Sequence, residues 1–329
     1  MDTRPIVQSP DYNSPDDSDP IELQVPAECA GMRLDQALVH LFPDFSRNRL
    51  QKWVKDGYVL VDDGTALPKS KVWSGERLTL QVPDEPDGTQ VEPEPMDLQV
   101  IHEDAALLVI HKPPGLVVHP GHGNWKGTLQ NALLYHDPSL GRVPRCGIVH
   151  RLDKDTSGLI VVARTVTAHA HLVRQLQART VRRHYWALVQ GMVMDDGTVD
   201  APVGRHPTQR TRMAVVSGGR PAVTHYGVVE RLPAHTLLEC RLETGRTHQI
   251  RVHMQYLGHA LVGDPVYRGS GLPVSADAAA AIRQLSRQAL HAFRLGLVHP
   301  EGGQACEWQI PMEGDMADLM SVLCREGKS

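Results

Sequence analysis

The sequence predicts an α+β protein built in two folded parts, and three observations carry that reading. Its 329 residues are enough for two domains of roughly 100–200 residues each. Short alternating apolar runs bounded by Gly and Pro recur along the chain, the pattern of strands and turns. Helical spacing of apolar residues stands out in a few stretches, near 33–41, 46–57, 247–258, 277–289 and 315–324. No internal repeat is present, and strand order does not follow from these patterns.

Composition narrows the class. Hydrophobic residues are 41% and charged residues 22% of the chain, the balance of a globular protein with a sizeable core. No apolar run approaches the roughly 18 residues of a membrane span, and the first thirty residues are acidic rather than a signal peptide. Membrane and secreted classes are therefore excluded. The five cysteines (29, 146, 240, 306 and 324) are scattered without C-x-x-C spacing, so a reducing cytoplasm is expected and a disulfide framework is not. The eighteen histidines include no H-E-x-x-H or His/Cys cluster, and no metal site is expected.

Charge is divided unevenly. Residues 1–30 carry a net of −6, and residues 83–97 carry six acids and no base, which leaves the remainder at +8. Most of that excess is arginine, since only eight residues are lysine. A basic body with acidic extensions suits a polyanion partner, although a modest excess also serves solubility alone.

Residues 1–20, rich in Asp, Ser and Pro, read as a disordered acidic tail. Residues 83–97 read as an acidic, Pro-rich linker. They bracket a small domain at 21–82, and a large domain follows over 98–329. In the small domain Leu34, Leu38 and Leu41 mark one helix. Ser46 caps a second that carries Leu50, Trp53 and Val54 inward and ends at Gly57. A strand then enters an Asp62-Asp63-Gly64 turn, and ERLTLQV alternates as another strand. Arg47, Arg49, Lys52 and Lys55 give the second helix a basic face, which by itself reads equally as a solvated surface.

The large domain concentrates chemistry in three clusters. In CGIVHRLDKDTSGLIVVART (146–165), a polar loop with His150, Arg151, Asp153, Lys154, Asp155, Thr156 and Ser157 joins what read as two buried strands, the first ending at Ile148-Val149. Reactive groups are commonly presented on such loops, though a polar hairpin has the same look. In LETGRTHQIRVHMQYLGH (242–259), Thr247 caps a helix ending near Gly258. Ile250, Met254 and Leu257 form its apolar stripe, and His248, Arg251 and Gln255 a separate polar one. In TVRRHYWALVQG, Tyr185 lies in a strand, where taken alone it reads as core.

Two resemblances gather these features. The stretch RLDQALVHLFPDFSRNRLQKWVKDGYVLVDD resembles the S4 RNA-binding domain, through Arg33-Leu34-Asp35, Ser46-Arg47 and Gly57 to Val61. It implies that Arg33, Arg47, Arg49 and Lys52 contact RNA. Residues 98–325 resemble the RluA family of pseudouridine synthases. The shared motifs are Lys112-Pro113 through His119-Pro120, His150-Arg151-Leu152-Asp153 with Thr156-Ser157-Gly158-Leu159, Tyr185 with Ala187, and TGRTHQIRVH at 244–253. The S4 domain with GRHPTQRTRMAV, GGRPAVTHY and LVGDPVY looks most like the RluD type. The family fold implied is a mixed, mainly antiparallel sheet flanked by helices.

The resemblance implies that the chain isomerises uridines of large-subunit ribosomal RNA in the helix 69 stem-loop. Alternatives are other ribosomal or transfer RNA uridines, or a non-catalytic RNA-binding assembly factor. Asp153 is the implied catalytic carboxylate, kept ionised by Arg251, with Arg246 as second candidate. Tyr185 would stack on the base and help remove the C5 proton. Arg151 would fill the space left by the flipped base. His150, Thr156, Arg246 and His248 are candidate substrate contacts. Arginines within 174–183 and 205–212 would line the RNA backbone path, each replaceable at modest cost. Because uridine and pseudouridine share composition and redox state, no cofactor is expected; a monomer is. An Asp153-x-Asp155 pair after an apolar strand also resembles phosphotransferases of the haloacid dehalogenase kind, but a strand rather than their helical unit follows it.

Overall fold

The computed structural model describes residues 21–42, 45, 47–81, 91–120, 124, 126–209, 212–269 and 273–326. It divides into two compact units, Met1–Gln90 and Val91–Ser329. The acidic tail, the expected cap at Ser46, positions 83–90 and the side chain of Arg49 lie outside the described residues. Among those described, no helix is long and apolar enough to cross a membrane.

The first unit runs β1 (Ile21–Gln24), α1 (Leu34–Leu41), α2 (Arg47–Lys55), β2 (Val59–Val61), β3 (Gly64–Thr65) and β4 (Arg77–Leu80). Its strands pair antiparallel in the order β1-β4-β2-β3. The helical spacing of Leu34 and Leu38, and of Leu50, Trp53 and Val54, delivers these side chains to one core with Val59, Leu78 and Leu80. Asp62 and Asp63 both have positive φ, 48° and 63°, as a two-residue hairpin turn requires at both central positions.

The second unit opens with β5 (Gln99–Glu103), β6 (Leu107–Lys112), α3 (Leu129–His136), β7 (Ser157–Ala163) and α4 (Val166–Gln177). It continues with β8 (Arg182–Gln190), β9 (Gly197–Asp200), β10 (Val203–Arg205), β11 (Met213–Val215), β12 (Val223–Leu232), β13 (His235–Leu242) and α5 (Gln249–Tyr256). It closes with α6 (Ala276–Leu285), β14 (Leu290–Val298), β15 (Ala305–Gln309) and α7 (Gly314–Glu326). The main sheet has the order β5-β6-β7-β14-β8-β13-β12-β9, with β15 also paired to β14. Every pairing in it is antiparallel except β7 with β14.

Both faces of the central strands are covered, which explains their continuous apolar runs. On β7, Leu159 and Val161 face a core with Leu107, Val109 and Leu172. Ile160 and Val162 face the opposite one, with Leu129 and Leu133 of α3. On β8, Tyr185, Ala187 and Val189 join Ile250 and Met254 of α5, while Leu188 joins Leu319 and Leu323 of α7.

Strand β14 positions the site. It runs parallel to β7 at Ala292↔Gly158 and antiparallel to β8 at Ala292↔Tyr185. Gly158, Ala292 and Tyr185 thus form one row, and the loop before β7 ends beside the middle of β8. Glycine is required in that row: at Gly158, with φ 119°, a Cβ would lie 2.2 Å from the Ala292 carbonyl oxygen.

Four sequence-based boundaries are corrected. Residues 91–97 are not free linker, because Val91, Met96 and Leu98 pack against the α3 core and Asn131 Nδ2 donates to the Glu92 carbonyl at 2.8 Å. Ile148 and Val149 do not end a strand. They leave a 3-10 turn in which Arg145 and Cys146 have φ 54° and 52°, and Ile148 forms only an isolated bridge to Val162. Thr247 does not cap α5; that position falls to His248, in the left-handed region at φ 57° and without a side-chain cap bond. Helix α6 stops at Leu285 rather than 289 because Ser286, at φ 48°, turns the chain toward β14.

Candidate active site

Asp153 stands on the loop before β7 with 16% of its side chain exposed. Arg251 of α5 donates to it through Nη1 at 3.2 Å, and His248 Nε2 is 4.0 Å away. Among the described residues Arg251 is thus the cation that reaches it, since burial lowers the His248 pKa and favours its neutral ring. Arg246 instead donates through Nε to the Pro221 carbonyl at 3.1 Å. Arg251, not Arg246, is therefore the guanidinium that reaches the carboxylate.

Arg251 is anchored from behind by Asp264. The fully buried Asp264 carboxylate accepts from Nε at 2.7 Å and from Nη2 at 2.9 Å. Its Oδ1 also accepts the backbone N–H groups of Val266 and Tyr267. Burial works against the Arg251 charge, but Asp264 and then Asp153 outweigh it and hold its pKa above the ordinary value. The Tyr267 ring lies 4.9 Å from the guanidinium carbon, and the Tyr267 hydroxyl pairs with His248 Nδ1 at 2.8 Å.

The loop carrying Asp153 is clamped by donors from three directions. Lys112 Nζ, buried at the end of β6, donates to the carbonyls of Lys154 (2.8 Å), Pro113 (2.8 Å) and Leu116 (3.0 Å). Burial pushes its pKa down to about 7 against the pull of Asp155 and Asp153. Arg287, paired with Asp315, donates to the Asp155 carbonyl at 3.2 Å. Gln288 Nε2 donates to Thr156 Oγ1 at 3.0 Å. The Thr156 hydroxyl is thus engaged in holding the loop.

Asp153, Thr156, His248 and Arg251 border a cavity of about 830 Å³ whose lining includes seven arginines (145, 151, 179, 183, 220, 246 and 251) and two carboxylates, Asp153 and Glu243. Tyr185 lines it with 5% exposure, and burial raises the pKa of its phenol. Arg151 is exposed at the mouth. His150 is turned into the fold, where its Nε2 accepts the Val161 N–H at 3.1 Å; burial, aided by the Arg183 charge, holds its pKa near 3. Arg183, expected among the arginines along the RNA backbone path, is only 8% exposed. Among the described residues no three His, Cys, Asp or Glu side chains gather as a metal site.

The motif characteristic of RNA pseudouridylate synthases matches residues 106–256, and that of the S4 domain matches 32–78. The chain is 53% identical to the ribosomal large subunit pseudouridine synthase D of Nitrosomonas europaea, over 94% of this chain and 90% of that one. The chain belongs to the RNA pseudouridylate synthase family. The protein of the same designation from Escherichia coli K12 is 50% identical to this synthase over 89% of its chain and 91% of the relative. The solved structure of human RNA pseudouridylate synthase domain containing 1 shares 28% identity with a TM-score of 0.51, over 67% of this chain and 86% of that one. That of domain containing 4, at 24% identity and TM-score 0.55 over 68% and 92%, shares the fold. The synthase therefore has the α+β architecture expected, a mainly antiparallel mixed sheet flanked by helices.

In the first unit Asp35 organises the basic residues. Its buried carboxylate accepts from Arg33 through Nε and Nη2 at 2.9 Å each, from Arg47 at 2.8 Å and from Gln51 at 2.7 Å. Burial pushes the carboxyl up, but these bonds prevail and hold its pKa at about 2. Both arginines remain on the surface, 39% and 52% exposed.

The sequence reading missed Asp264, Tyr267, Arg287 and Gln288 as parts of the site. The first two stood in LVGDPVY, seen only as a shared segment. The last two had been placed inside a helix.

Proposed function

We propose that the synthase converts uridines of large-subunit ribosomal RNA to pseudouridine in the cytoplasm, with the helix 69 stem-loop as target and Asp153 as the catalytic carboxylate. The large-subunit target rests on the names of its relatives, and helix 69 on the resemblance to the RluD type alone. The observation that carries the chemistry is Asp153 held by an anchored Arg251 at the edge of an arginine-lined cavity shared with Tyr185.

Glycosidic cleavage sends the electron pair of the N1–C1′ bond away with the base, while an Asp153 oxygen bonds to C1′ or takes a ribose proton. The base turns, C5 bonds to C1′, and the carboxylate is released, or the ribose proton returned. The C5 proton is lost and N1 gains one, so the product is an isomer and Asp153 ends unchanged. Tyr185 supplies the stacking surface for the base and relays the C5 proton. Arg151, at the mouth, fills the gap in the RNA stack. Exposed arginines around it hold phosphates, and Arg33 and Arg47 on the first unit add contacts to the same RNA.

Asp153→Asn keeps size and hydrogen bonding but not the negative charge. It should abolish pseudouridine formation while RNA binding persists, and turnover by this variant defeats the assignment. Pseudouridine mapping of ribosomal RNA from cells lacking the protein tests the target. Loss confined to transfer RNA, or full modification in helix 69, refutes it.

A further inference from the structure

Arg183 lies on β8 two residues before Tyr185, hence on the same face of the strand and about 7 Å along it. Arg183 lines the cavity while only 8% of the residue is exposed. Among the described residues its hydrogen bonding is thin. Nη2 donates to the Glu243 carbonyl at 3.3 Å, and Nε is buried without a partner. The Glu243 carboxylate is turned away, toward Arg179 at 2.9 Å and His225 at 2.8 Å. Gly245 keeps the space open, since a Cβ there would lie 2.8 Å from Arg183 Nη1.

A second donor beside it is also unmatched. His150 Nε2 accepts the Val161 N–H, so the proton of the neutral ring is on Nδ1, which has no partner. A buried cation next to an unmatched donor is unfavourable unless an acceptor arrives with the ligand. The exposed arginines at the mouth already suit phosphate. Arg183 sits deeper, on the face of the residue that receives the base. Uracil brings carbonyl oxygens, and after N1–C1′ cleavage it carries a full negative charge spread over N1 and those oxygens.

We infer that Arg183 is a second cationic catalytic residue of the synthase, binding the carbonyl edge of the flipped uracil and balancing its charge while the base is detached. This rests on the reading of Asp153 given above. No atoms are transferred to Arg183: it donates hydrogen bonds and keeps its proton.

The test compares full-length wild type, Arg183→Gln and Arg183→Lys in single-turnover tritium release from 5-tritiated uridine RNA on which the wild type is active. RNA affinity is measured alongside. Arg183→Gln should lower the rate at saturating RNA about 100-fold with affinity changed less than about threefold, and Arg183→Lys should recover at least about tenfold of that rate. Weakened affinity with an unchanged saturating rate makes Arg183 a backbone anchor and overturns the inference, as does wild-type behaviour. Equal losses in both variants with a matching fall in melting temperature, or failure of both to fold, leave a purely structural cation and also overturn it. Asp153→Asn is run in parallel. An active Asp153→Asn removes the underlying reading, whereas an inactive one beside a fully active Arg183→Gln removes this inference alone.

Discussion

Replacing Asp264 by Asn tests whether the cation at Asp153 must be aimed. The substitution preserves volume, and the amide oxygen can still accept the Val266 and Tyr267 N–H groups now bound by Oδ1. The other position becomes an NH₂ facing Arg251 Nε–H, donor against donor. Of its two charge-assisted bonds, the one from Nε at 2.7 Å is lost and the one from Nη2 to Oδ1 at 2.9 Å loses the acceptor's charge, at a guanidinium that is 6% exposed. Each such bond contributes about 1.5–3 kcal/mol, and breaking a buried pair costs about 3–5 kcal/mol. Asp153 remains as a partner for Arg251, so the lower figure, about 3 kcal/mol, applies. At about 2–4 °C per kcal/mol for a unit of this size, melting should fall by about 6–12 °C. With no carboxylate behind it, Arg251 swings toward Asp153 and displaces that carboxylate from its line to the ribose. The rate at saturating RNA should drop about 10–100-fold with affinity intact. Differential scanning fluorimetry and single-turnover tritium release read the two effects. A variant that melts within about 2 °C of wild type and reacts within about twofold of its rate refutes the argument that Asp264 aims the cation.

Three further outcomes follow from the clamps and registers. Lys112→Met strips the donor from the Pro113, Leu116 and Lys154 carbonyls, at about 1–3 kcal/mol for each group left unsatisfied; a lower melting temperature and slower turnover are expected, and full stability with full rate counts against the clamp. Gly158→Ala places a Cβ 2.2 Å from the Ala292 carbonyl oxygen, so insoluble protein or a fall in melting above about 10 °C is expected; a soluble variant of normal stability refutes the close approach of β7 and β14. Asp35, with its carboxyl held at about 2 rather than 3.8, stabilises the first unit above the ordinary carboxylate range, and that contribution is lost as pH falls from about 4 toward 2. Its partners are half exposed, so about 1–2 kcal/mol is at stake, and hydrogen exchange in α1 and α2 should show the acid dependence in wild type but not in Asp35→Asn.

Local periodicity gave away those elements whose apolar residues face one core. Leu34 and Leu38 of α1, and Leu50, Trp53 and Val54 of α2, were legible because one face is buried and the other is not. Helix α5 was legible too, since Ile250 and Met254 of its apolar stripe enter the core, but its polar residues gave no warning of how deeply they lie. Gln249 through Met254 are all buried, and its polar members are satisfied individually, as where His253 bonds Thr224 Oγ1 and the Ala201 carbonyl at 2.9 Å each. Three of the four missed boundaries share another cause: residues without a glycine's freedom, Arg145, Cys146, His248 and Ser286, adopt positive φ, and nothing local in the sequence signals that.

The site itself was legible as a set of residue types but not as a geometry. Asp153 and Arg251 are 98 positions apart and meet because β14 pairs with both β7 and β8, one parallel and one antiparallel. That junction also separates the arginines by depth, which charge counting could not do. Arg145, Arg151, Arg179 and Arg220 remain in contact with water, where their charges are screened and each phosphate contact is weak and exchangeable. Arg183 and Arg251 are almost entirely withdrawn from it, where a cation acts strongly on whatever charge develops beside it. One of the two is neutralised by Asp264 and shared with Asp153. The other awaits its counter-charge, and an isomerase whose leaving group never departs must hold that group's charge inside the cavity until C5 has closed the new bond.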